Sequence, residues 1–313
     1  MLLLIQYTLI FSSVLILVAL GGCFSEHSGV INLGLEGIMV MGGLGGALAM
    51  RYLPPDLPAL AMILVVLLCA IGLGALYSSL LAIACINFKA DQTIVGTALN
   101  ILGTAAATVI VKAINTATNP NDVSSTIQYI RPKKSFIVNI GSFEFNWFML
   151  IALIAVVIAY IVLYKTRFGL RLMACGEHPQ AADSVGINVY KMRWYGVLIS
   201  GVFGGLGGIC YLLAGVSEWK FENGVAGFGF LALAVMIFGQ WKPIRIAVSA
   251  LLFGAFRALS NVYFGFEFLQ SLNIPSTVYN MMPYIISLVV LAFTSRHSMA
   301  PKAEGIPYDK SQR

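Results

Sequence analysis

The sequence predicts an all-α, polytopic membrane protein of about eight to ten transmembrane helices, with broken or re-entrant segments among them. Three observations carry that expectation. The 313 residues are 59% hydrophobic and only 10% charged, against roughly 25% charged in soluble domains, so such a chain cannot cover its own surface in water. Its apolar runs suit helices of about 20 residues better than the alternating ten-residue strands of an outer-membrane barrel. Its basic residues, finally, distribute unequally between the two sides that those runs define.

Taken in order, apolar segments fall at about 2–22, 33–50, 59–86, 91–113, 146–164, 194–216, 227–240, 246–263 and 280–294, the seventh being short for a full crossing. The first lacks a basic leading region and a small-residue cleavage site, so it reads as a retained span rather than a cleaved signal. Residues 1–294 form one transmembrane domain on this reading, and 295–313 a tail. The stretch Lys165–Arg193, KTRFGLRLMACGEHPQAADSVGINVYKMR, is the densest run of charge and lies between two spans. If it is cytosolic, alternation puts Lys89, Lys242, Arg245 and the tail cations on the same side. Arg51, Lys112, Arg131, Lys133, Lys134 and Lys220 then lie opposite. That bias predicts the N-terminus outside and the C-terminus inside, and it accounts for the net charge of +6 without nucleic-acid binding. Trp147, Trp194, Trp219 and Trp241 fall at span ends, where interfacial aromatics are expected.

Within the charged loop, Glu177 or His178 can cap a short surface helix. Pro179 suits its first position, Ala181, Ala182 and Val185 give it an apolar edge, and Gly186 can end it. Such a helix, framed by Lys and Arg, is a handle for a cytosolic partner.

Two stretches break the helical regularity, residues 23–37 (CFSEHSGVINLGLEG) and 217–230 (SEWKFENGVAGFGF). At an offset of 195, Gly29/Gly224, Val30/Val225, Gly34/Gly229, Val40/Val235 and Met41/Met236 are identical. The helices that follow would run in opposite directions, as in transporters built from inverted repeats.

No lysine follows a glycine, so a Walker A loop, which needs Gly-Lys ahead of Ser or Thr, is missing; a complete GxGxxG and an HExxH are missing too. The five cysteines and three histidines are scattered, without disulfide or metal-ligand spacing. No cofactor is expected on this chain. Asn32 and Glu36 lie four apart at the start of the second span, hence on one face. They are candidates for a substrate pathway, or Glu36 favours the positive end of its helix while Asn32 helps cap it. Thr93, Thr97, Asn100, Thr104 and Thr108 draw a polar stripe down the fourth span. It could line a path for an uncharged polar solute, glue helices together, or bond its own preceding turns. Asp91 reads as a helix-start carboxylate. Gly42, Gly46, Gly201, Gly204, Gly205 and Gly208 have the spacing that lets helices approach closely. Arg257, with Asn261 on the same face, reads as a snorkelling cation.

Five stretches, SEHSGVINLGLEGIMVMGG (25–43), ADQTIVGTALNIL (90–102), TRFGLRLMACGEHPQAADSVGINVYKMRW (166–194), ISGVFGGLGG (199–208) and GFGFLALAVMIFGQWKP (227–243), resemble in order the permease subunits of bacterial ABC importers. The branch is that serving nucleosides and simple sugars, related to branched-chain amino-acid permeases. His27 and His178 stand where many relatives have Arg and Asn. The resemblance implies a coupling helix at roughly Gly176–Gly186 that docks on a separate ATPase subunit using ATP and Mg. It further implies a second permease that shares the path, a substrate-binding lipoprotein outside, and a bacterial cell membrane as the setting, with lipid as the remaining partner. Nucleosides are the leading substrate; ribose-like sugars, branched-chain amino acids and an ion-coupled carrier are the alternatives.

Overall fold

The computed structural model describes residues 2–54, 57–127, 136–141, 143–214, 219–265, 275–294 and 299–310. Arg131, Lys133, Lys134, Ser217, Glu218 and Arg296 lie outside the described residues, and the expectations placed on them go no further. The helices are α1 (Leu2–His27), α2 (Leu35–Tyr52), α3 (Ala59–Ala82), α4 (Gln92–Thr118), α5 (Trp147–Lys165), α6 (Arg167–Glu177), α7 (Pro179–Ser184), α8 (Val189–Leu213), α9 (Phe228–Phe238), α10 (Pro243–Val262) and α11 (Ser276–Thr294). A π turn, Ile83–Asn87, prolongs α3, and the long loop after α4 holds an antiparallel hairpin of β1 (Ile137–Ile140) and β2 (Phe143–Asn146).

This is an all-α polytopic membrane protein. Among the described residues, seven segments are long and apolar enough to cross a bilayer: α1, α3 with its π turn, α4, α5, α8, Phe221–Phe238 and α10. The segments expected at 33–50 and 280–294 form α2 and α11, which are not among the seven. Five glycines dilute the hydropathy of α2, and most of that helix is buried between its neighbours instead.

Packing explains the arrangement. From Ile10 to Glu26 every residue of α1 is buried, as befits a helix that is apolar all round. α1 lies against α8 and α10, and α2 lies against α3 and α8. The glycines set how close these axes come. A Cβ on Gly42 would meet the backbone of Gly205, one on Gly208 the Met39 carbonyl, and one on Gly201 the Ser78 side chain. Gly204 faces Ile38 and Gly46 faces Ile209. With little hydrophobic driving force between helices in lipid, this close fit supplies dispersion contact that larger residues would prevent.

Two tryptophans depart from the expected interfacial placement. Trp219 is buried, stacked on Phe221 with ring centroids 4.3 Å apart, and its Nε1 donates to the Gly224 carbonyl at 2.6 Å. Trp241 is buried as well, and its Nε1 donates to Glu26 Oε2. An indole N–H needs an acceptor once it leaves water, and each of these finds one inside the protein.

Candidate functional site

Both sequence breaks are real, and they meet. α1 ends at His27, and Ser28–Gly34 forms an irregular, mostly buried connection to α2. Gly29 takes φ +90 there, and Gly224 takes φ +57 in the second break, a backbone region that favours residues without a Cβ. Glu36, in the first turn of α2, accepts from the backbone N–H of Gly227 and of Gly229, both at 2.7 Å. A carboxylate from one break therefore caps the helix that leaves the other, where unpaired amides and the positive end of the dipole collect.

The depth of this contact follows from the other end of α9. Just beyond α9, Trp241 is held to the end of α1, its indole by Glu26 and its carbonyl by Cys23 Sγ at 3.2 Å and His27 Nε2 at 3.1 Å. α9 has 11 residues, and at 1.5 Å per residue its start stands about 15 Å further into the protein. Glu36 thus meets α9 at the end remote from Trp241. The sequence placed it at a helix end, which it is, and that end is packed against the start of α9.

Asn100 of α4 makes the corresponding clamp on α2. Its Oδ1 accepts from the Gly37 N–H and its Nδ2 donates to the Leu33 carbonyl, both at 2.8 Å. Asn32 is fully buried, donates to Ser200 Oγ at 2.8 Å and accepts from Gly34 N–H at 3.1 Å. The threonine hydroxyls bond their own preceding turn: Thr97 to Thr93 O, Thr104 to Asn100 O, Thr108 to Thr104 O. Thr93 and Thr97 are exposed and Thr104 is half-buried, 3.6 Å from where a Cβ on Gly224 would sit. Asp91 caps α4, accepting from the amides of Thr93 and Ile94.

Arg257, read from sequence as a snorkelling cation, is half-buried. Its guanidinium stands 5.4 Å from the Phe228 ring centroid, and its buried Nε has no hydrogen-bond partner among the described residues. Tyr284, nearby, donates to the Ala226 carbonyl at 2.6 Å.

The charged loop is more structured than its composition suggested. α6 precedes the expected helix, capped by Thr166 Oγ1, with Arg167 and Arg171 exposed and Leu172 and Cys175 buried. Gly176 and Glu177 belong to the last turn of α6. His178 bridges to α7, whose first residue is Pro179, and Gly186 closes the turn at φ +83. Gly176, Pro179 and Ala182 face inward; Glu177, His178, Ala181, Val185 and Gly186 face solvent.

What they pack against is the tail. Ala303 N–H donates to the Gly176 carbonyl at 2.8 Å, and Arg193 Nη1 donates to the Ile306 carbonyl at 2.9 Å. Tyr308 packs in a cluster with Cys175, Ala182 and Val189, and Asp309 pairs with Lys89 at 2.7 Å. Arg193, counted from sequence as a loop cation, is buried under this strap. The Glu304 carboxyl lies against Glu26, and burial pushes it up to about 7. A carboxyl raised from about 4.5 to about 7 on docking favours the docked strap most below about pH 4.5. That advantage is lost progressively up to about 7 and is flat beyond. Amide-exchange protection of residues 299–310 should therefore be higher at pH 5.5 than at pH 8, and Glu304→Gln should reduce the difference.

Residues 4–293 match the family model described as branched-chain amino acid transport system / permease component. The chain is 41% identical to the guanosine ABC transporter permease protein NupQ of Bacillus subtilis (strain 168), over 98% of this chain and 96% of the relative. It is also 41% identical to the nucleoside ABC transporter permease protein NupC of Lactococcus lactis subsp. cremoris, over 97% and 96%. A second guanosine ABC transporter permease protein of the same Bacillus, NupP, is 24% identical over 95% of this chain and 77% of the relative. A helix-interrupted core of glycine-packed spans, matched end to end in this way, makes this chain a member of the branched-chain amino acid transport system permease family, a transport component of the ABC type.

Proposed function

We propose that the chain is one of two unlike permease subunits of an importer for nucleosides, driven by a separate ATPase that binds ATP and Mg. The observation that carries this reading is the end-to-end similarity to NupQ and NupC, both named for nucleoside substrates. The more distant NupP, in the same organism as NupQ, supports a paired, heteromeric assembly. The loop face is then cytosolic, with the N-terminus outside. The exposed side of α4, carrying Thr93 and Thr97 and leading to Thr104 and the Glu36 contact, lines the path against the second permease. Asn32 and Asn100 hold the backbone of that wall. Neutral hydroxyls suit a polar uncharged solute; a branched-chain amino acid would call for charged partners at both of its ends. A lipoprotein delivers substrate from outside.

The test is uptake of labelled guanosine by vesicles containing both permeases and the ATPase. Uptake should require ATP and stop when the phosphate-binding lysine of the ATPase is replaced. Persistence of uptake without a working ATPase, or uptake of leucine in preference to guanosine, would overturn the proposal.

Coupling follows the outward face of α7. Val185 is 74% exposed whereas Ala182 is 4% exposed, so the two separate docking from internal packing. Val185→Asp should cut co-purification of the ATPase about tenfold while the chain stays folded. Ala182→Asp should loosen the strap and lower thermal stability.

A further inference from the structure

Between the end of α5 and the start of α10 a cavity of ≈ 480 Å³ opens on the loop face, lined by Tyr160, Tyr164, Lys165, Lys242, Pro243, Ile244 and Arg245. Three of its seven lining residues are cations and none is a carboxylate. The cations come from two helix ends far apart in sequence, so the convergence is a product of the fold and not of a local basic run. Lys242 is the N-cap of α10 and makes no side-chain cap, so beyond Pro243, which has no N–H, the amides of Ile244 and Arg245 in the first turn of this 20-residue helix receive no side-chain cap.

The cleft is also continuous with the lipid-facing surface. On α5, Leu153, Val157 and Ile161 are exposed at helical spacing above Tyr164; on α10, Ile244, Val248 and Leu252 form the matching stripe. A ligand here meets a cationic, hydrogen-bonding pocket at one end and two apolar rails at the other.

We infer that this cleft binds an anionic phospholipid, its phosphate held by Lys165, Lys242 and Arg245, its glycerol region against Tyr160 and Tyr164, and its acyl chains along α5 and α10. Charge complementarity selects the headgroup, and the rails select a lipid over a soluble anion. The position gives the lipid a consequence. Lys242 also borders the neighbouring cleft lined by His27, Glu177, Trp241 and Lys302, so the headgroup stands beside the junction of α1, α6, the α9–α10 turn and the tail strap.

The test is native mass spectrometry of the full chain in mild detergent, titrated with phosphatidylglycerol or phosphatidylcholine of identical acyl chains. The wild-type chain should retain phosphatidylglycerol at least about tenfold more strongly, given that each basic residue near a headgroup contributes a factor of roughly five. The triple variant Lys165→Gln, Lys242→Gln, Arg245→Gln should lose that preference. Arg167→Gln, Arg171→Gln, Lys191→Gln, which removes the same charge from exposed positions elsewhere on the loop face, should keep it. Equal retention of both lipids by the wild type, or equal loss in both triple variants, would overturn the site. Displacement of the lipid by millimolar inorganic phosphate would show that the pocket takes a free anion and would overturn the assignment to lipid.

Discussion

Uptake should fall roughly tenfold or more, and thermal stability should drop, when Glu36 is replaced by alanine. The carboxylate is the acceptor for two amides at the start of α9, and an alanine methyl cannot replace it. A hydrogen bond to a charged acceptor contributes about 1.5–3 kcal/mol, and each donor left unsatisfied costs a comparable amount. The loss is therefore several kcal/mol, enough to release α9 from α2. Glu36→Gln keeps one carbonyl oxygen and should fall between the wild type and alanine. Labelled-nucleoside uptake together with a thermal melt of the purified chain measures both effects. Wild-type uptake in the alanine variant would show that the contact between the two breaks is dispensable, and with it the path drawn along α4.

A still larger structural effect is expected at Gly208. A Cβ there runs into the Met39 carbonyl and stands 2.9 Å from Gly43 N. Both are backbone, so no rotamer change can relieve the clash, and α2 and α8 must separate along the seam that Gly42 and Gly205 also occupy. Overpacking a tight interior costs about 1–3 kcal/mol even where side chains can adjust. Gly208→Leu should leave no monodisperse protein on size-exclusion chromatography. Gly72→Leu, where nothing lies within 4 Å of the added Cβ, should elute like the wild type. Normal elution of the Gly208 variant would mean that the two helices do not meet as described.

Hydropathy made the spans legible, because a bilayer demands apolar runs of a fixed length, and spacing alone marked the close-packing glycines. The partners were not legible. Glu36 meets Gly227 and Gly229 across more than 190 residues, and its acceptors' partners are backbone amides, which carry no side-chain signature. Asn100 is a similar case: its position on a polar stripe suggested a pore-lining amide, while its oxygen is spent on the backbone of α2 and its nitrogen on that of the connection before it. The first helix of the charged loop, α6, was visible in principle. Leu172 and Cys175 alternate with Arg167 and Arg171 at helical spacing, but charge density drew attention away from the period. Trp219 and Trp241 looked interfacial because a span end and a buried helix break have the same local sequence, an apolar run giving way to Gly, Lys and Pro.

The strap across the loop face has a temporal consequence. Residues 299–310 are synthesised after every span has been threaded, yet they complete the underside of α6 and α7, which were made well over a hundred residues earlier. Insertion and competence are therefore separate events in the life of each molecule. A chain interrupted after its last span would lack the contacts that cover Gly176, Cys175 and Arg193.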